Sequence, residues 1–305
     1  MAISFKSHTT AILDGSSTAT QKILSFSKPV GLSNNDLLLI HIGSRQADGS
    51  ARALSASLTI TGFTKLANGG SDLVSNIYRV WTFGKVITDA SSETTTYTVS
   101  LPVNETIDKQ NIAGIAAAFS GVDTSNPYNV NLVYSNQTTT VTVTYSAITT
   151  TVPNTMLVLA GISQRSVSVT FNGGITKIAD PSVVTTNAAT AYMGYVLQPS
   201  VGSSGDKTSY INDTARVQQV GMFALNPAAT GLTITSVNAG NDVYSEQTLV
   251  KVVGTGLSNV TSATYKGAAC SAISKSSSLS ITMTFPNFFT NNIKVGAQHA
   301  LKVRG

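Results

Sequence analysis

The sequence predicts an all-β protein: a larger pseudo-duplicated antiparallel β-sandwich, jelly-roll-like in character, followed by a second, smaller β-sandwich. Three observations lead there. Charged residues make up only 11% of the 305 residues, while Thr, Val and Tyr segments alternate with Ser, Asn and Gly turns, a composition suited to pleated strands. No long stretch repeats apolar residues at the helical period. And two stretches, about a hundred residues apart, carry the same order of elements. The first holds Asn35-Asp36-Leu37-Leu38-Leu39, Gly62-Phe63-Thr64-Lys65-Leu66, the aromatic run Tyr78-Arg79-Val80-Trp81 and Ala116-Ala117-Ala118-Phe119. The second holds Asn154-Thr155-Met156-Leu157-Val158, Gly174-Ile175-Thr176-Lys177-Ile178, Tyr192-Met193-Gly194-Tyr195 and Gly221-Met222-Phe223-Ala224. That spacing is too long for a solenoid and suits two halves of one β-body.

Residues 3–28 read as one or two strands split at Asp14-Gly15. The turn cluster 28–36 delivers an apolar strand over 37–43, and 44–57 reads as a polar loop or edge. Gly62 marks a tight turn or bulge between 58–60 and 63–66. Over 76–84, Arg79, Trp81 and Phe83 share one face, with Tyr78, Val80 and Thr82 on the other. Strands follow at 94–101, 112–119 and 129–133. The run 138–145 sets Thr against Val141, Val143 and Tyr145, as one half-buried strand with a hydroxyl-rich outer face. Pro153-Asn154 opens the second half, which runs to Leu225.

Asn226-Pro227-Ala228 with Thr230-Gly231 forms a short breaker-rich linker, so the domains are expected at 1–228 and 232–305. In the second, strands are expected at 232–237, 248–254, 262–265, 268–271, 280–285, 292–295 and 299–304.

Net charge is +5. Residues 1–229 carry 13 basic and 12 acidic side chains, and 230–305 carry 6 and 2. The basic residues stand singly and without interleaved aromatics, so nucleic acid is not an expected partner. The opening Met1-Ala2-Ile3-Ser4-Phe5-Lys6 has no apolar signal core. No apolar run approaches the roughly 18 residues of a membrane span. Synthesis in a cytoplasm, without membrane insertion, is the expectation. Cys270 is the single cysteine, which excludes an intrachain disulfide and a thiolate zinc cluster.

The chemistry-bearing residues are dispersed. His8, His41 and His299 form no spaced pair, and His41 shares a strand face with Leu37 and Leu39, as a satisfied structural histidine would. Asp72, Asp89, Asp180 and Asp206 fall in turns, where Asp caps backbone. Glu93 and Glu105 are the only glutamates before the linker, and no carboxylate pair of glycosidase type is visible. No Gly-x-Ser-x-Gly elbow or phosphate-binding glycine loop occurs. No catalytic residue, cofactor or metal is therefore assigned. Trp81, Phe83, Tyr192 and Tyr195 read as core, whereas Tyr128, Tyr134 and Tyr210, near loops, are the candidates for surface recognition.

The segments Ile234-Thr235-Ser236-Val237, Val250-Lys251-Val252-Val253-Gly254-Thr255-Gly256, Val260-Thr261-Ser262-Ala263-Thr264-Tyr265-Lys266-Gly267 and Thr282-Met283-Thr284-Phe285-Pro286 resemble the IPT/TIG immunoglobulin-like modules. The resemblance implies an immunoglobulin-like fold for 232–305 and leaves activity open. The larger region, through Pro29-Val30-Gly31, Asn35-Asp36-Leu37-Leu38-Leu39, Gly62-Phe63-Thr64-Lys65-Leu66 and Phe119-Ser120-Gly121-Val122-Asp123, resembles β-sandwich domains of bacteriophage virion proteins and some bacterial surface proteins. That resemblance implies a non-enzymatic virion part, either a capsid decoration or head fibre or a tail-associated protein. Its expected partners are other virion proteins and further copies of itself. The alternative is an adhesin module that binds a host glycan.

Overall fold

The computed structural model describes residues 2–15, 22–46, 58–70, 78–101, 110–184, 188–213, 216–228, 233–239, 247–255, 260, 262–265, 268–269, 272–277, 280–286 and 301–304. Every regular element among them is a strand, and every strand pairing is antiparallel. The chain divides into two compact units, Ala2–Ala228 and Ala229–Gly305.

In the first unit two five-stranded sheets dominate. One runs β1 (Ser4–Leu13), β7 (Gln110–Ser120), β3 (Leu37–Gln46), β5 (Tyr78–Val86), β4 (Thr64–Gly70). The other runs β8 (Tyr128–Thr140), β17 (Arg216–Leu225), β11 (Thr155–Ser163), β14 (Thr190–Gln198), β13 (Thr176–Ala179). The two halves of the chain thread these sheets in the same order: first strand, last strand, apolar strand, aromatic strand, edge strand. Each half adds a smaller sheet: β2 (Lys22–Ser27) with β6 (Thr96–Leu101), and β12 (Val169–Phe171), β16 (Lys207–Ile211), β9 (Thr142–Tyr145). A short pair, β10 (Thr149–Thr150) with β15 (Gly202–Ser203), completes the second half.

The cores show how these sheets stack. On one face of β3, Leu38, Ile40 and Ile42 pack with Leu24, Phe26, Tyr97 and Val99 of the β2–β6 sheet, around Trp81 and Phe83. On the opposite face, Leu37 and Leu39 join Ile115, Phe119, Met156, Val158, Met193 and Phe223, so the two large sheets lie face to face. Beyond them, Leu157, Leu159, Tyr192, Val220 and Met222 meet Val143, Tyr145, Val169 and Ile211 of the second small sheet. The body is therefore an antiparallel β-sandwich architecture, as expected from the sequence, built as two sandwiches stacked through their large sheets, four layers deep. This explains why the strands at Leu37 and Thr155 lack alternation. All nine residues of β11 are buried, because both faces of an antiparallel sheet are covered, as is usual for parallel ones. Each fully buried Leu or Phe contributes about 1.5–3 kcal/mol.

Aromatic rings clasp the central layer. Tyr195 of β14 stacks on Phe5 of β1 at 5.3 Å and meets Phe119 of β7 edge-on at 6.4 Å. The run 138–145 is not one strand. β8 ends at Thr140 in the large sheet and β9 begins at Thr142 in the outer one, with Val141 at the corner. The inward set of Val143 and Tyr145 holds for β9. β3 continues to Gln46, past the point where the sequence turns polar, because Arg45 and Gln46 still pair with Asn111 and Gln110.

Local geometry enforces the entries to the apolar strands. Asn35 and Asn154 both adopt left-handed backbone (φ 68° and 59°) just before β3 and β11, a conformation Asn tolerates better than most residues. At the other end, the last residues of the body bind the connector between its halves. Asp123 N–H donates to Asn226 O, Asn226 N–H to Pro127 O and Ala228 N–H to Gly121 O.

The second unit pairs β18 (Thr233–Ala239), β19 (Gln247–Thr255), β23 (Ser280–Pro286) and β22 (Ala272–Ser277) in one sheet, and β21 (Ala268–Ala269), β20 (Ser262–Tyr265) and β24 (Leu301–Arg304) in another. Strand β22 is absent from the sequence expectation, because Ser274-Lys275-Ser276-Ser277 has little apolar content and takes its place by pairing with β23. The segment 292–295 and Cys270 lie outside the described residues.

Gly121 has φ +73°, and an added Cβ there would collide with the Ala2 carbonyl oxygen; Gly173 has φ +67° with open space around it. Gly173→Ala should therefore cost only the left-handed penalty of about 1–2 kcal/mol. Gly121→Ala should cost about 3 kcal/mol or more, since backbone must also move. Urea denaturation of both variants checks this ordering.

Candidate functional site

The titratable groups of the body are mostly engaged in holding turns and strand ends. Asp36 accepts from Lys6 Nζ at 2.8 Å and from Ser33 N–H at 2.7 Å. Glu93 pairs with Lys85 at 2.7 Å and accepts from Tyr97 Oη–H. Asp180 accepts from Lys177 and from Val169 N–H, and Asp206 caps Ala147 N–H. Asp89 and Asp123 close Asx turns on Ser91 and Ser125, and those hydroxyl bonds hold both carboxyls below their ordinary range. Asp72 and Glu105 lie outside the described residues. No group of three or more His, Cys, Asp or Glu placed to hold a metal ion occurs among the described residues.

One buried polar chain crosses the central layer. His41 lies on the inward face of β3 beside Leu39, fully buried. Its Nε2 is 2.9 Å from the Gly161 carbonyl oxygen of β11, 120 residues away in sequence. Its Nδ1 is 3.0 Å from Thr82 Oγ1 of β5, and Thr82 Oγ1 is 2.5 Å from Tyr134 Oη of β8. A carbonyl can only accept, so the network assigns the proton to Nε2. Nδ1 then accepts from the hydroxyl pair formed by Thr82 and Tyr134, whose oxygens lie 3.0 and 3.3 Å from it and bond each other. Desolvation lowers the imidazole to about 4, outweighing the Gly161 and Trp81 backbone carbonyls that favour the charged ring. Burial likewise pushes the Tyr134 phenol up. The ring is a neutral hydrogen-bonded strut between sheets, and its two nitrogens are occupied. Sequence pattern places His41 on the correct face; Thr82 and Tyr134 carried no signal as its partners, since they come from other strands.

Of the three tyrosines expected at the surface, the structure turns two inward. Tyr134 ends in the buried chain just described. Tyr128 packs beside Phe223, ring centroids 6.4 Å apart, with its hydroxyl over Gly84. Both sit on β8 at the margin of the central layer, where the gap between large sheets admits an aromatic ring. Tyr210 alone is exposed, at 46%. It stands on the outer face of β16, in register with Thr170 of β12 and Thr142 of β9, while Thr208 faces Thr144 in the next row. Asn172 Nδ2 donates to Thr208 Oγ1. Lys207 turns away and binds the Ser204 carbonyl, so this face presents hydroxyls, an amide and one aromatic ring. The corresponding outer sheet of the first half pairs Ser25 with Thr98 and Ile23 with Ser100, with Tyr97 buried inside. Among the described residues of the two small outer sheets, the exposed ring is thus a feature of the second half.

Comparison of the chain with protein-family models, curated proteins and solved structures finds no match.

Thr82→Val keeps the side-chain shape but removes the hydroxyl that bridges His41 Nδ1 and Tyr134 Oη, which are left to bond each other at 3.3 Å. Loss of about 1–2 kcal/mol of stability is expected, measured as a lowered urea midpoint with unchanged denaturant dependence.

Proposed function

We propose that the protein is a non-enzymatic structural component of a bacteriophage virion, a capsid decoration, head-fibre or tail-associated part acting through protein–protein contacts. The observation that carries this reading is the four-layer body, in which His41 and the engaged carboxylates serve packing and turn closure. Outer sheets lined with Ser and Thr, in a chain with only 11% charged residues, suit repeated hydrogen-bonded contacts with a lattice or with further copies of itself. The motifs around Pro29, Gly62 and Phe119 support the virion setting. The test is mass spectrometry of gradient-purified particles. The chain should be present in a fixed ratio to the major capsid or tail protein, and its absence from mature particles overturns the reading.

A second reading, recognition of a host-surface glycan, is favoured by the exposed Tyr210 among Thr142, Thr170 and Thr208. An aromatic face stacks on a sugar ring while neighbouring hydroxyls bond its periphery. Glycan-array binding by the intact protein should fall at least about tenfold, some 1.4 kcal/mol, in Tyr210→Ser, with the melting temperature unchanged. No binding by the unaltered protein at high concentration counts against this reading.

A further inference from the structure

We infer that the His41–Thr82–Tyr134 chain is an acid-sensitive latch on the central layer, whose release parts β3 from β11 and β8 while the two outer layers stay packed. The chain joins four strands across the contact: β3 and β5 in one large sheet, β11 and β8 in the other. In its neutral form every hydrogen has an acceptor. Acidification adds one proton from solvent at Nδ1, the ring nitrogen that lacks one. Nδ1 then becomes a donor to the Thr82 and Tyr134 oxygens, and whichever hydroxyl bonded the ring loses its acceptor within the chain. The charge can stay buried only with this chain disrupted, or reach water by opening the layer.

The surroundings favour opening. From β11 the ring meets a carbonyl, from β5 the Thr82 hydroxyl and from β8 a phenol. β7 contributes Ile115, directly beside it in register. Arg45, on the same face of β3, adds a second cation and donates to the Gln164 carbonyl of the facing half. His8 stands on edge strand β1, against Phe5. No carboxylate facing His41 stabilises its charged form among the described residues. A buried imidazolium without a counter-ion is costly, and a histidine of depressed basicity loses native stability as pH falls from its unfolded value toward its folded one. Here that window runs from 6.5 down to about 4. The outer layers hold no corresponding histidine among the described residues: Trp81 and Phe26 fill one, Tyr145 and Val169 the other.

The test follows the full-length protein from pH 7 to pH 4 with two readouts. Protection of Met156, Met193 and Phe223 from hydroxyl-radical oxidation reports the contact between the large sheets, because the backbone ladders of β3, β8 and β11 lie within each sheet and stay closed when the sheets part. Emission of Trp81, the single tryptophan, reports the outer layer on the far side of β3. Protection of these three side chains should fall by at least about tenfold at pH 4 and return at pH 7, with Trp81 emission unmoved. His41→Gln, whose amide can donate to Gly161 and accept from Thr82 without titrating, should keep its protection throughout. Unchanged protection in the native protein overturns the latch. So does its loss in the same step as the Trp81 shift, or equal acid sensitivity in H41Q. Should H41Q fail to fold, the order of the two signals in the unaltered protein still decides.

Discussion

The face-to-face contact between the two five-stranded sheets governs this body. Each large sheet would form an ordinary half-solvated antiparallel layer if it met only its small partner sheet. Stacking the two buries the second face of both, with Leu37, Leu39, Phe119, Met156, Val158 and Phe223 at the centre. Strands β3 and β11 consequently sit inside four layers and must be apolar on both sides. That requirement explains the unbroken Leu-Leu-Leu-Ile run in one and the fully buried nine residues of the other.

The same contact creates the polar arrangement at its heart. A layer between two sheets that each satisfy their own backbone needs no side-chain hydrogen bonds to hold it. A buried polar group there must bring its own partners or be destabilising. His41 meets that demand with a carbonyl on one side and a hydroxyl chain on the other, and so ties the two halves of the chain in one relative position. The Phe5–Tyr195–Phe119 cluster does the same near the opposite end of the layer with apolar surface alone. One device is a hydrogen-bonded ring; the other is ring-on-ring packing.

The same geometry separates packing from exposure. Residues inside the layers are committed to packing, and the outer sheets present the side chains that face solvent. The two outer sheets differ where the layers beneath them correspond: serine, threonine and isoleucine on one, threonine around an exposed tyrosine on the other. Tyr128 and Tyr134 lie near chain turns as Tyr210 does, yet β8 borders the central layer and β16 faces outward. Proximity to a turn in sequence therefore does not separate them.

Local periodicity alone determined the all-β class, the strand-opening turns at Asn35 and Asn154, and the side of β5 on which Trp81 is buried. It also placed His41 with Leu37 and Leu39, because alternation along a strand is a property of neighbouring residues. Tertiary structure decided the four-layer stack, the corner at Val141, the pairing of β22 and the partners of His41. Those depend on which apolar face meets which, a choice among chemically similar surfaces about a hundred residues apart. Leu, Val and Phe faces carry no label for their partner, whereas the backbone geometry that alternates them is written in every residue.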